Sequence, residues 1–446
     1  MATDSSQRRP GAWSRAKDLA QQTPESRNRY VDFLRAASIA VVVIGHWLMA
    51  APAMERGTLT LNDMLHVAPW MQWLTWIFQV MPLFFIVGGY ANAVSWESAR
   101  RAGRPYDEWI SARLQRLIGP VIPLLLLWAG LGVAAKYFGV QPTTLRIGSQ
   151  VALIPTWFLA VYVMVCVAVP VTHALWRRFG IGSFFGLALG AALIDALAFL
   201  GDLPLLRWTN YGFVWLGVHQ IGYAWRAGKI AGLAQALTWA AAGLAVLIVL
   251  VVIAGYPVSM ITVPGEELSN SRPPTLALLA LGVMHVGLVL AVEAPARRWL
   301  QNSRPWAATV LVNGTIMTLY LWHVTAMVLI VGLANLLGGF GLGLRPGSAE
   351  WWFTRPVWFV VCAGLLAAFI AVFARFEQTA RRGVSSALPT WQAVAGATCV
   401  GLGLGFLARN GIGAPGPLGI RIWFVLLALG GAGLATGRPL RRNRSE

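Results

Sequence analysis

The residues best suited to chemistry in this sequence stand in its first apolar segment. His46 follows Arg35 by eleven residues, and on an α-helix this separation leaves the two side chains about 20° apart in direction and about 16 Å apart in height. They therefore share one helix face at different depths. An imidazole is suited to proton transfer near neutral pH, and a guanidinium binds anions. Asp32, three residues before Arg35, can hold that guanidinium in a same-face ion pair.

A second pair of basic residues could bind a charged ligand. Arg113 and Arg116 are three residues apart, so on a helix they project from one side. Because guanidinium groups match phosphate oxygens, the pair suits a phosphate-bearing ligand. The alternative is that both are topological charges at the end of a membrane span. Arg35 and His46 have comparable alternatives, a snorkelling arginine and a histidine hydrogen-bonded inside a helix bundle.

The other ionisable residues within apolar segments are fewer and less specific. An ionisable residue is energetically costly at membrane depth, so each one is treated as a candidate functional residue. His323 is a candidate for the same site as His46, because we predict a similar depth for both. His219 and His285 are expected to form hydrogen bonds within the bundle, and Asp195 to have a partner on another helix. All three cysteines lie inside apolar runs, and no spacing predicts a metal site.

The composition indicates that membrane-spanning helices position these residues. Only 12% of the 446 residues are charged and the mean hydropathy is +0.62, whereas soluble domains average about 25% charged residues. This excludes a soluble enzyme and predicts an all-α integral membrane protein. Apolar runs long enough to span a bilayer give about twelve predicted helices, at 33–53, 72–94, 114–137, 151–173, 182–200, 208–225, 232–254, 274–292, 306–334, 356–374, 392–408 and 419–436.

The distribution of charge predicts the topology. The formal net charge is +18, but the basic residues lie in short joins between apolar runs and do not form a nucleic-acid-binding patch. Most of the 35 lysines and arginines fall on one side if the spans alternate, which by the positive-inside rule places both termini in the cytoplasm. We therefore expect a multi-pass protein of a bacterial inner membrane, with the lipid bilayer as a partner and no nucleic-acid partner.

Five segments in order resemble the membrane-bound acyltransferase family 3, the O-acyltransferases of bacterial surface sugars. Arg35 and His46 match the arginine, ten residues and histidine of that family's first helix. Arg113, Arg116 and Pro120 match its Arg-x-x-Arg-x-x-Pro pattern. The remaining three matches are MPLFFIVGGY at Met81–Tyr90, TWFLAVYV at Thr156–Val163 and TLYLWH at Thr318–His323.

The resemblance implies a role for each matched residue. His46 would be the general base on an acceptor hydroxyl, and Arg35 would orient the donor or stabilise the oxyanion. Arg113 and Arg116 would bind the phosphates of cytoplasmic acyl-CoA, which is a co-substrate rather than a tightly bound cofactor. Asp32, His323 and Trp157 would contribute to substrate binding. The acyl group would be acetyl and the acceptor a cell-surface or lipid-linked carbohydrate, with direct transfer expected because no serine or cysteine stands near a base.

The resemblance also divides the chain and leaves alternatives. A cytoplasmic basic tail at 1–29 would precede an acyltransferase-like domain of about ten helices at 30–376, and residues 377–446 would add a further hairpin and a basic tail. Gly88 departs from the family pattern, which has serine before Gly-Phe or Gly-Tyr, and this favours an inactive scaffold of the same fold. A twelve-span secondary transporter is the other alternative, although the internal symmetry typical of that class is not evident.

Overall fold

The computed structural model describes residues 11–24, 27–201, 203–382 and 387–437. The basic residues predicted to face the cytoplasm within 1–10 and 438–446 lie outside these ranges. The described chain is mostly helical, as expected from its composition. A short amphipathic helix, α1 (Ala12–Gln21), precedes the bundle.

The first apolar segment forms α2 (Arg29–Met49), whose start is capped by the side chain of Asn28, which accepts from the backbone N–H groups of Tyr30 and Val31. An antiparallel hairpin that the sequence analysis did not predict follows, with strands β1 (Ala50–Glu55) and β2 (Thr58–Asp63) in register from Ala50↔Asp63 to Glu55↔Thr58. Two short helices and a 3₁₀ turn then lead into the next long helix; these elements are α3 (Met64–Val67), the turn Pro69–Leu74, α4 (Thr75–Phe78) and α5 (Met81–Arg101).

The middle of the chain is a series of helices broken at short bends. They are α6 (Tyr106–Ile118), α7 (Val121–Tyr137), α8 (Pro142–Ala152), α9 (Thr156–Val167), α10 (Val169–Phe179), α11 (Gly182–Leu200), α12 (Asn210–Arg226), α13 (Leu233–Ile248) with the π-helical turn Val249–Ile253, α14 (Leu276–Ala291) and α15 (Glu293–Trp299). A second 3₁₀ turn, Pro204–Thr209, precedes α12. The last helices are α16 (Ser303–Gly314), α17 (Ile316–Leu336), α18 (Ala349–Arg382), α19 (Thr390–Asn410) and α20 (Ile422–Thr436).

By length and composition, the described chain contains fewer candidate spans than the twelve predicted. Helix occupies each of the twelve predicted segments, but by length and composition the described chain has eight helices able to cross a membrane, or up to ten if each of two bent pairs is one span. The bends lie between α8 and α9 and between α14 and α15. Helix α12 has 17 residues and α20 has 15, so both are short for a span of about 20 residues.

Helices α5 and α12 approach each other through glycines. A Cβ atom added at Gly222 would lie 2.1 Å from the carbonyl oxygen of Ile86, and one added at Gly89 would lie 2.1 Å from that of His219. No larger residue fits at either position without moving a backbone. The close approach brings the polar residues of the two helices into contact.

We therefore predict that Gly222→Ala destabilises the protein by about 1–3 kcal/mol or more through overpacking. Gly212→Ala is the matched control, because Gly212 lies on the same helix with no atom within 4 Å of an added Cβ. That control should be neutral or slightly stabilising, since alanine favours helix over glycine. Thermal unfolding in detergent compares the two variants, and equal stabilities would contradict the close packing.

The extra C-terminal hairpin, formed by α19 and α20, packs against two helices of the predicted site. They are α6, which carries Arg113 and Arg116, and α9, which carries the TWFLAVYV motif. The backbone N–H of Leu388 donates to Ser111 on α6 at 3.0 Å, and Thr156 on α9 donates to the carbonyl of Leu404 at 3.4 Å. Small residues let α19 and α20 pack closely, as at Gly403, where an added Cβ would lie 2.7 Å from the backbone of Ala428. The hairpin, which follows residue 376, thus supports α6 and α9.

Candidate active site

Two histidines from distant parts of the sequence meet inside the bundle. His46 near the end of α2 and His323 on α17 have their Nδ1 and Nε2 atoms, respectively, 2.9 Å apart. Nδ1 of His323 lies 2.6 Å from the carbonyl oxygen of Tyr320. Because a carbonyl can only accept, Nδ1 of His323 carries the proton and its Nε2 accepts from Nδ1 of His46. Nε2 of His46 is then left unprotonated, as a general base requires.

Two tryptophans hold this pair in position. The indole of Trp47 donates to the carbonyl of His323 at 3.0 Å, and that of Trp358 donates to the carbonyl of Trp47 at 2.9 Å. His323 is fully buried, whereas His46 is half-buried. His46 therefore contacts the neighbouring helix and remains partly exposed, while His323 is enclosed.

Asp32 organises the opposite end of α2. Its carboxylate pairs with Arg27 at 2.5 Å and with Arg35 at 3.4 Å. The Asp32 side chain is only 9% exposed and that of Arg35 is 32% exposed. Since one carboxylate is shared by two guanidinium groups, Arg35 keeps capacity to bind a further anion.

Arg113 reaches inward from α6 and is held by a buried amide. Its guanidinium donates to the side-chain oxygen of Asn92 on α5. The amide nitrogen of Asn92 lies 3.0 Å from Nε2 of His219 on α12. Asn92 and His219 are both fully buried, so together they orient Arg113. Arg116 differs from Arg113 in being exposed.

Tyr162 on α9 lies at the same end and was not singled out from the sequence. It lies close to both Arg35 and Arg113, so the three side chains border one region. A Cβ atom added at Gly88 would lie 2.8 Å from the Tyr162 hydroxyl and 2.7 Å from its ring. A serine at this position would therefore require the Tyr162 ring to move.

An aromatic wall connects the end of the bundle where Arg35 and Arg113 lie to the histidine pair. We use this name for Tyr162, Phe158 and Tyr320, with ring centroids 5.4 Å apart for the first pair and 5.6 Å apart for the second. Tyr320 is in turn 6.1 Å from the ring of His323. Trp157 does not belong to the wall but packs beside it, with its ring 6.3 Å from that of Phe158.

The other candidates take part in structural contacts. Nε2 of His285 lies 2.9 Å from the carbonyl of Trp76. The carboxylate of Asp195 accepts from Asn210, from Tyr256 and from the backbone N–H of Leu276 at 2.8–2.9 Å, which ties three elements together. No group of three metal-ligating side chains occurs within the described residues.

The residues that sequence reasoning missed, Asn92 and Tyr162, each carried a weak signal. Asn92 stands four residues after Gly88 in an otherwise apolar stretch, so it faces the same side of α5. Tyr162 lies inside the fourth quoted motif. His219, expected to make only a structural bond, does make a bond within the bundle, but its partner is the residue that orients Arg113.

A comparison with protein-family models matches residues 28–376 to an acyltransferase domain. The matched region begins just before α2 and ends within α18, so it contains both histidines, Arg35, Arg113 and Tyr162. No curated protein and no solved structure matches the chain.

Proposed function

The chain belongs to the membrane-bound acyltransferase family 3, and from this we propose that it moves an acetyl group from acyl-CoA to a hydroxyl of a cell-surface or lipid-linked carbohydrate. The observation that carries the proposal is the pairing of His46 with His323, which leaves Nε2 of His46 free as a base on the helix that also bears Arg35. We place the protein in a bacterial inner membrane with both termini cytoplasmic.

The proposed reaction is direct transfer. Nε2 of His46 takes the proton of the acceptor hydroxyl as its oxygen attacks the thioester carbonyl. The new C–O bond forms, the C–S bond breaks, and the proton passes to the CoA thiolate. His323 accepts a hydrogen bond from Nδ1 of His46, which stabilises the imidazolium formed during the reaction.

The other end of α2 suits the donor. Arg35 and Arg113 border one region that Tyr162 shares, and guanidinium groups suit the phosphates of acyl-CoA. The rise of about 16 Å along the helix between Arg35 and His46 separates the phosphates from the reacting carbonyl. This separation favours donor orientation by Arg35 over oxyanion stabilisation. The acyl-bearing arm of the donor would then extend from Tyr162 toward His46.

Mass spectrometry of envelope glycans and glycolipids from a deletion strain tests the proposed function. We expect one species to lack the mass of an acetyl group and to regain it when the wild-type gene is restored. Unchanged glycans together with a lost transport activity would favour the secondary transporter instead.

His323 is proposed as a positioning residue, and this has a specific test. We predict that His323→Leu lowers kcat by about ten- to hundredfold, because it removes a hydrogen bond to a group that becomes charged. His323→Gln should recover part of the loss, since its amide oxygen can accept from Nδ1 of His46. Equal activities of the Leu and Gln variants, at equal folded yield, would show that the bond to His46 does not matter.

A further inference from the structure

An open surface cavity of about 350 Å³ lies beside the ends of α5 and α10 that carry Arg100, Arg177 and Arg178. It is lined by three arginines, one histidine and one tryptophan among others, namely Arg100, Arg177, Arg178, His173 and Trp96. Ligand pockets span about 300–1,000 Å³, so this cavity is large enough for part of a small molecule. Its lining differs from an ordinary pocket in being dominated by positive charge.

The three arginines of the cavity lack an acidic partner among the described residues. The nearby carboxylate of Glu97 is engaged elsewhere, 3.5 Å from His173 and 3.5 Å from Arg226. Arg177 and Arg178 are exposed at the end of α10, and Arg100 at the end of α5. Such a cluster matches a ligand with several negative charges.

Aromatic contacts join this cavity to the proposed donor site. Trp96 lines the cavity, and its ring lies 5.3 Å from that of Trp109 on α6. The guanidinium of Arg113 lies 5.7 Å from the ring of Trp109. A ligand in the cavity is therefore separated from Arg113 by two rings that are largely buried.

We propose that this cavity binds the 3′-phosphorylated adenosine of acyl-CoA, an assignment that rests on the proposed function. Arg100, Arg177 and Arg178 bind the 3′-phosphate, and Trp96 presents an aromatic surface to the adenine. The diphosphate then reaches Arg113, and the thiol-bearing arm continues past Tyr162. Two separated phosphate subsites give the enzyme a means to distinguish CoA thioesters from shorter thioesters.

The test measures equilibrium binding of CoA and of 3′-dephospho-CoA to the full chain in nanodiscs of zwitterionic lipid. We expect the wild type to bind CoA about ten- to hundredfold more tightly than 3′-dephospho-CoA, the range for charge-assisted hydrogen bonds. Arg177→Gln/Arg178→Gln should lose most of this preference while its affinity for 3′-dephospho-CoA stays the same. Arg298→Gln, an exposed arginine outside the cavity, should keep the preference.

Several results would overturn the proposal. Equal affinity of the wild type for the two ligands, or an unchanged preference in the double variant, removes the 3′-phosphate from the cavity while leaving the acyltransferase assignment intact. If the double variant instead alters only the response to anionic lipids added to the nanodiscs, the cavity binds a lipid phosphate. Failure of the wild type to bind CoA at all would defeat the donor assignment itself, together with the subsite.

Discussion

His46→Ala is expected to lower acyl transfer by about 10²–10⁴-fold, the range attributed to a general base. The variant removes Nε2 of His46, the ring nitrogen proposed to take the acceptor proton, whereas Nε2 of His323 already accepts from His46. Binding of the CoA donor should change little, because Arg35 and Arg113 lie at the other end of the site. Product formation and CoA binding are measured on the same purified protein.

His285→Ala is the control for loss of a buried imidazole. Nε2 of His285 contacts the carbonyl of Trp76, away from the histidine pair. This variant should retain acyl transfer at comparable folded yield. A His46 variant that stays active, or a His285 variant that loses as much activity, would exclude His46 as the base.

Arg113→Ala is expected to raise the KM for acyl-CoA by about ten- to hundredfold, with a smaller effect on kcat. The guanidinium is fixed by the buried oxygen of Asn92, so its position is prepared before the donor binds, and charge-assisted bonds to phosphate are strong. The substitution also leaves Asn92 and His219 without their charged neighbour. Initial rates at varied acyl-CoA separate the two kinetic constants.

Arg104→Ala provides the matched comparison for Arg113→Ala. Arg104 lies in the same region of sequence but makes an exposed ion pair with Glu108 at 3.8 Å, a kind of contact that contributes little. It should leave the KM for acyl-CoA unchanged. If Arg104→Ala and Arg113→Ala raise the KM equally, the effect comes from general surface charge and not from a phosphate site.

The arrangement of side chains on α2 could be predicted from the sequence, because helix periodicity is local. The spacing of Arg35 and His46, and the pairing of Asp32 with Arg35, depend only on residues within α2. The contact between His46 and His323 joins residues 277 positions apart, so similar depth could suggest it but nothing local could establish it. The same reason hid the bond between Arg113 and Asn92.

Glycines show a second limit of sequence reasoning. Gly88 could be recognised as a departure from the family pattern, but the ring that an added side chain would meet, that of Tyr162, lies on another helix. The twelve predicted spans were likewise located from apolar runs, and helix does occupy those segments. Hydropathy reveals neither the bends next to Thr156 and Glu293 nor the shortness of the helices α12 and α20, which have 17 and 15 residues.

Transfer of label from acetyl-CoA is the most direct measurement of the central claim that His46 is the base of an acyltransferase. Wild-type protein and His46→Ala are each incubated in nanodiscs with acetyl-labelled acetyl-CoA and envelope glycolipids, and the glycan fraction is analysed for label. We predict labelled glycan with the wild type and a loss of at least about 10²-fold with His46→Ala. Equal labelling by the two proteins would contradict this claim. The absence of labelled glycan with the wild type, when the envelope extract contains the acceptor, would contradict it as well.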